Sequence, residues 1–355
     1  MDNPFIYLRG LKHANFTVFC VENGQKNFYD PQFGVRMPYS SGQQVKRSIM
    51  ETITEMLNVE PAPIEFYFDV DKKNTLKEGE VMSLCNPLYT DQLLGGWMRT
   101  PKGGKEGRAL KRRSPFCISA MTPLHPLLAN LPSESASFDR SNRPDVHKVV
   151  VRNADGQAMS EEQIEELLGK NDRSLLRKWI PNNTRATGLF VYDVAIDLRR
   201  LFCVSANKLE PEVSPEVLEQ LRAKGWILGK NVFGECLIMP AEERKKIIPA
   251  IAEALINWHI SSNQARTFSL METLAIAVSD NANTLAAAIR AKLVDDGGEH
   301  PKAKPIVDNV EGAKTFITLP CAGYVVTEGE SADALQQAKQ CLIGRMMSFD
   351  YENQL

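Results

Sequence analysis

An α+β fold is what this chain predicts, on three observations. An extended opening runs into a capped helix, a long polar and basic stretch follows, and strand, helix and strand patterns resume in the second half. At 355 residues, 43% of them hydrophobic, the chain can bury a sizeable core, as one elaborated domain or as a core with insertions.

Asn15 to Val21 alternates apolar and polar residues, Asn23-Gly24 is a turn pair, and Lys26 to Tyr29 is extended again, so the opening reads as a β-hairpin. Ser41 and Gln44 stand at capping-box spacing and start a helix. Val45, Ile49 and Ile53, with Met56 and Leu57, share its buried face, and Gln43, Lys46, Arg47 and Met50 line a neighbouring one. From Arg99 to Arg113 seven basic side chains face one acid, Glu106, with Gly103, Gly104 and Gly107 interspersed, the composition of a loop that orders on a polyanion.

Ser133 to Arg143 reads as a polar connection and Lys148 to Val151 as a short strand. Ser160 and Gln163 box another helix, with Ile164, Leu167 and Leu168 on one face, and the apolar pattern of Leu175, Leu176 and Trp179 is stopped by Pro181. Ala241 to His259 is a helix with Ile247, Ile248, Ile251, Leu255 and Trp258 inward and Lys245 and Lys246 outward. Phe316 to Val326 is a closing strand interrupted by Pro320, and Ala332 to Met347 a terminal helix. This order fits a ferredoxin-like βαββαβ sheet, also the RRM architecture, with insertions in its loops. The predicted division is 1–70 for the first part of the sheet domain, 71–185 for an inserted subdomain with the basic loop, and 186–355 for the remainder.

A formal net charge of −2 gives no overall attraction to polyanions, so a nucleic-acid site has to come from local clustering of cations. Two clusters exist. Around the first helix start, backbone N–H groups without helical partners combine with Ser40, Ser41 and Gln44 as hydrogen-bonding groups and Arg36, Lys46 and Arg47 as charges, a set suited to phosphate. Arg99, Lys111, Arg112 and Arg113 make the second, and Gln264 and Arg266 are further candidates.

The seven cysteines form no Cys-x-x-Cys pair and lack a histidine at metal-ligand spacing, so they read as reduced and mostly buried, with no metal or cofactor expected. No secretory pattern and no membrane-length apolar run is present, and scattered thiols suit a reducing, cytoplasmic setting. His13, His125, His147, His259 and His300 sit in no nucleophile or zinc motif; His13, beside Lys12 at a strand end, is the one to watch.

Four blocks, taken in order, resemble the CRISPR-associated protein seven family, RAMP-superfamily proteins that form the backbone of Cascade-type effector complexes. They are Arg36, Ser40, Ser41, Lys46 and Arg47; Asp91 to Arg99 with Arg113 to Ala120; Gly188 to Leu198; and Ser262 to Thr267. The spacing is similar rather than identical, and the second block is most like the I-A, I-B and I-D branches. The resemblance implies a ferredoxin-like palm, a finger region inserted after the first helix, and a thumb hairpin at either Asp295 to Gly298 or 206–236. It implies a non-catalytic RNA-binding subunit that polymerises head-to-tail along CRISPR guide RNA beside other Cascade subunits and presents the guide to target DNA. Two alternatives stand beside it. In the type III branch an aspartate between first strand and first helix cuts target RNA, and Asp30-Pro31 occupies that loop, although Asp-Pro is also a common turn dipeptide. The other is a structural or regulatory protein whose basic loop meets acidic protein surfaces instead of RNA.

Overall fold

The computed structural model describes residues 3–19, 24–77, 79–100, 108–138, 143, 146, 148–169, 175–176, 178–260, 268–295, 297–298 and 300–355. They form two compact units, 1–130 with 186–355, and 131–185. Residues 71–130 therefore belong with the first unit, and the second holds only the later part of the expected insertion.

The first unit is built on one sheet of eight hydrogen-bonded segments. Its central elements, in chain order, are β1 (Phe5–Thr17), α1 (Gly42–Leu57), an edge strand β2 broken into Phe116–Ile118, Thr122–Pro123 and Ala129–Asn130, then β3 (Ala186–Asp197), α2 (Ala241–Asn257) and β4 (Thr273–Ser279). In space the order is β2–β3–β1–β4, every neighbour antiparallel. β1 and β2 are thus parallel with β3 between them, and β3 and β4 are parallel with β1 between them. Two strand–helix–strand crossovers interlock in this way, the first through α1 and the second through α2. β5 (Ala313–Thr318) extends the sheet beyond β4, and α3 (Ala334–Met347) closes the chain.

Strand alternation sends side chains to opposite faces and gives the sheet two cores. Ile6, Leu8, Phe190, Tyr192, Val194 and Ile276 meet Ile49 and Ile53 of α1, Ile251 and Leu255 of α2 and Leu342 of α3. Leu11, Leu189, Val191 and Ala277 meet Leu285 of the helix Ala282–Ala288 and Ile289 and Val307 of the hairpin Ile289–Val294/Lys302–Val307. α1 and α2 start where predicted; Val45, Ile49 and Ile53 are buried, as are Ile247, Ile248, Ile251, Leu255 and Trp258, while Lys245 and Lys246 pair outward with Glu242 and Glu243 at 2.7 Å.

The opening hairpin is a correction. β1 pairs with β3 along one edge and with β4 over Tyr7–Lys12 on the other, and residues 26–29 join neither edge. Instead Asn27–Asp30 pairs with Val35–Pro38, and the turn is made by Asp30: its carboxylate accepts the Phe33 N–H at 2.8 Å and its carbonyl accepts the Gly34 N–H at 2.9 Å. The expected Asn23 turn falls on residues 20–23, outside those described. Phe316 to Val326 is strand only to Thr318, after which Pro320 sits in a 3₁₀ turn, Leu319–Gly323.

Within the second unit, Ser133–Phe138 is a strand rather than a connection, antiparallel to Lys178–Thr184. Pro181 does not stop the pattern because it falls where the register slips, two residues opposite one, so its missing N–H costs no ladder bond. Lys148 to Val151 is not a strand; only the bridge Arg152–Ala158 forms there. The helix Glu161–Leu168 carries the full Ser160/Gln163 box.

Candidate nucleic-acid interface

The α1 junction is assembled by local chemistry. Ser41 caps the helix from an extended backbone, its Oγ accepting the Gln44 N–H at 3.4 Å. A Cβ on Gly42 would lie 2.9 Å from the Ile118 carbonyl, so glycine lets the first turn press onto β2. Ser40 exchanges backbone hydrogen bonds with Met121, both 3.0 Å, which buries its hydroxyl without a partner among the described residues. Arg36 is exposed on the small hairpin, its Nη1 on Asn27 Oδ1 at 3.1 Å, and Arg47 is exposed with Glu51 at 2.7 Å. Lys46 is engaged: Nζ donates to the Gly95 carbonyl at 2.7 Å, and burial pushes its pKa down.

That bond ties α1 to the second cluster. The helix Thr90–Gly95 ends at Gly96, whose φ is +71° and whose Cβ would sit 2.6 Å from both the Arg112 carbonyl and the Ser114 nitrogen. Ser114 Oγ lies 2.8 Å from the Leu94 carbonyl, so the Gly95 and Ser114 segments lock backbone against backbone. Between them, Trp97–Arg99 pairs with Leu110–Arg112, Trp97 opposite Arg112 and Met98 opposite Lys111.

Alternation along this hairpin puts Lys111 on the face opposite Arg112, while Arg99 shares the Arg112 face at its exposed end. Arg99, Lys111 and Arg113 are exposed, with no hydrogen-bonded side-chain partner among the described residues. Arg112 is a correction: it is 3% exposed, donates to the carbonyls of Arg200 (2.8 Å), Cys203 (3.0 Å) and Arg113 (3.1 Å), and lies over the Trp97 ring. Burial pushes its pKa down and nearby Glu212 opposes that. Such a side chain has no face left for phosphate. Gln264 and Arg266 lie outside the described residues.

The sequence reading singled out His13 beside Lys12 but missed the roles of Arg9 and Lys12. Arg9 holds Asp193 by two hydrogen bonds, 2.7 and 2.9 Å, across β1 and β3. Lys12 is buried under Trp258, donates to Thr273 Oγ1 at 2.9 Å and to the Met271 carbonyl at 3.2 Å, and has its pKa pushed down to about 7 by burial, with Glu272 opposing. His13 pairs with Glu272 at 2.7 Å and stacks on Tyr324. The available signal was three basic residues at 9, 12 and 13 inside one strand.

Among the described residues no His, Cys, Asp or Glu group is placed to hold a metal ion, and the cysteines are free. No described helix is long and apolar enough to cross a membrane.

No protein-family model matches the chain, and no curated protein sequence does. Among solved structures, the chain is similar to one from a "CRISPR RNA-guided surveillance complex", with 10% identity and a TM-score of 0.38 over 96% of this chain and 83% of that one. It is also similar to one from a "CRISPR RNA-guided surveillance complex, pre-nicking", with 8% identity and a TM-score of 0.44 over 96% of this chain and 88% of that one. Likenesses at this level carry no functional weight.

Proposed function

We propose that this chain is a non-catalytic RNA-binding subunit of a CRISPR effector complex, polymerising along guide RNA beside other subunits in the cytoplasm and offering the guide to target DNA. The observation that carries the reading is the set of exposed cations Arg36, Arg47, Arg99, Lys111 and Arg113, borne on elements joined through the Lys46–Gly95 bond, in a chain whose formal net charge is −2. Contacts from such side chains hold phosphates without reading sequence, and base pairing supplies target choice.

Two interlocked crossovers around β1 and β3 support a ferredoxin-like palm. Residues 131–185 supply a finger; the thumb candidate Asp295 to Gly298 lies between the strands of the hairpin Ile289–Val294/Lys302–Val307, and the candidate 206–236 overlaps the hairpin Ile227–Asn231/Gly234–Ile238. Head-to-tail contacts between copies are heterologous and give an open filament whose length follows the RNA. A near-neutral chain limits repulsion between stacked copies.

The test is co-expression with a guide RNA, purification and electron microscopy, repeated with Arg36, Lys46 and Arg47 all reversed to glutamate. The expected result is an RNA-containing filament for the natural chain and loss of bound RNA for the triple variant. Unchanged guide retention by a folded triple variant overturns the proposal.

A further inference from the structure

Beside the buried Arg112 lies a cavity of about 550 Å³ in which basic side chains converge with the ring of Phe233. Into its wall runs a partly exposed ladder of rings and cations. The Arg199 guanidinium lies 4.9 Å from the centre of the Phe5 ring and 5.0 Å from that of the Phe233 ring, and the Arg200 guanidinium lies 3.6 Å from the centre of the Phe233 ring. Asp197 fixes Arg199 in this stack through bonds of 2.8 and 3.0 Å. Arg200 ends the ladder: its side chain makes no hydrogen bond among the described residues, approaches Glu212 and Asp197 no closer than 3.7 and 3.9 Å, and lines the cavity.

Around that terminal plane stand Arg108, Lys111 and Arg113. Arg108 is anchored to the carbonyls of Lys208 and Leu209, and Lys111 and Arg113 have no side-chain hydrogen bond among the described residues. Of the two carboxylates in the lining, Glu212 accepts the Ser205 N–H at 2.9 Å and pairs with Arg200 at 3.7 Å, so Arg108, Lys111 and Arg113 keep their charge without a carboxylate partner among the described residues. Asn207 turns its Oδ1 to the Leu209 N–H at 2.7 Å, which leaves its amide N–H groups as donors at the cavity wall.

We infer that this cavity is a subsite for one unpaired nucleotide, its base continuing the ladder on Arg200 and its phosphate held by Lys111 and Arg113. Arginine planes and aromatic rings stack bases irrespective of sequence, charge-assisted bonds hold phosphate, and the volume lies within the usual range for small ligands. The inference rests on the reading of Lys111 and Arg113 as RNA-facing, and it adds a place where a base leaves the stacked strand. Free nucleotide and nucleotide within a strand share this chemistry.

The experiment is photocrosslinking of the full chain with two probes, 4-thiouridine monophosphate and a short single-stranded RNA containing 4-thiouridine, mapped by mass spectrometry. Expected are crosslinks from both probes to peptides containing Arg200, Asn207 or Phe233. Phe233→Leu, at a half-exposed turn position, should lower them by about tenfold, the worth of one stacked base. The double change Lys111→Ser and Arg113→Ser should do the same, and it decides the matter if Phe233→Leu disturbs the circular dichroism spectrum. RNA that binds but crosslinks only to other peptides, with the mononucleotide labelling nothing here, overturns the subsite and leaves the strand-binding proposal standing. Mononucleotide crosslinks in the cavity without RNA binding support the subsite and overturn the strand-binding proposal. No crosslink in the cavity from either probe overturns the subsite.

Discussion

Lys46 and Gly95 meet through a 2.7 Å hydrogen bond from ammonium to carbonyl, and this contact joins the first helix to the segment that carries the second group of cations. A charge-assisted bond of this kind contributes roughly 1.5–3 kcal/mol. Lys46→Ala should therefore lower stability by about that amount in urea unfolding. Arg47, on the same helix but paired with Glu51 at the surface, should cost about 0.5 kcal/mol or less when changed to alanine. For RNA the order reverses: Arg47→Ala should reduce the slope of log affinity against log salt by about one, as loss of one phosphate contact does. Equal stability losses for the two variants would contradict this division.

Gly96 is held at φ +71° with the Arg112 and Ser114 backbones 2.6 Å from where a Cβ would be. Gly96→Ala meets both left-handed strain and backbone collision, and neither neighbour is a flexible side chain that can swing away. The expected loss is about 2 kcal/mol or more. Gly95→Ala, with open space around its Cα, serves as the control and should be nearly neutral. Denaturation midpoints of the two variants check the contrast.

The division between what the sequence disclosed and what it hid follows the range of the forces involved. Ser41 capping α1, the Ser160/Gln163 box and the inward stripe of α2 are set by neighbours within a turn or two, and all three were legible. The pairing of β1 was not, because its partners Ala186–Asp197 and Thr273–Ser279 lie far along the chain. The basic run shows the same limit. Its composition announced positive charge, but which cation points inward depends on the Trp97–Arg112 register, a pairing invisible in a list of charges.

Asp30 separates the non-catalytic reading from RNA cleavage. Its carboxylate accepts the Phe33 N–H at 2.8 Å inside a tight turn, which gives the residue a structural task without chemistry. Asp30→Ala should cost about 0.5–1.5 kcal/mol through that bond. It should leave RNA binding unchanged, and no divalent-metal-dependent cleavage of complementary RNA is expected from either form. Cleavage by the natural chain that the substitution abolishes would establish the enzymatic alternative.

Lys12 makes stability depend on pH in a definite direction. Burial lowers its folded pKa to about 7, whereas an unfolded lysine titrates near ~10.4. Between those values the unfolded chain binds the extra proton, so stability rises as pH increases through the window and is lowest below about pH 7. Lys12→Met removes the linkage. The folding constant of the natural chain relative to this variant should grow by about tenfold per pH unit across the window and flatten on either side. Groups common to both proteins cancel in the ratio, and a ratio independent of pH would contradict the assignment.

Arg112 and Arg113 are consecutive, identical in charge and opposite in role. Arg112 is 3% exposed, spends its donors on carbonyls of the chain and stands 3.9 Å from Glu212, itself buried. Removing it leaves those buried carbonyls without donors and Glu212 with only the Ser205 N–H and Arg200, so Arg112→Ala should destabilise by about 3 kcal/mol. Arg112→Lys should recover little, because an ammonium cannot reproduce the planar fork that reaches two carbonyls at once. Arg113 is exposed on the side facing the cavity, and Arg113→Ala should leave stability within about 0.5 kcal/mol while weakening RNA binding and its salt dependence. Calorimetry and filter binding on the two variants should give opposite rankings, and matching rankings would remove the distinction on which the basic hairpin's role depends.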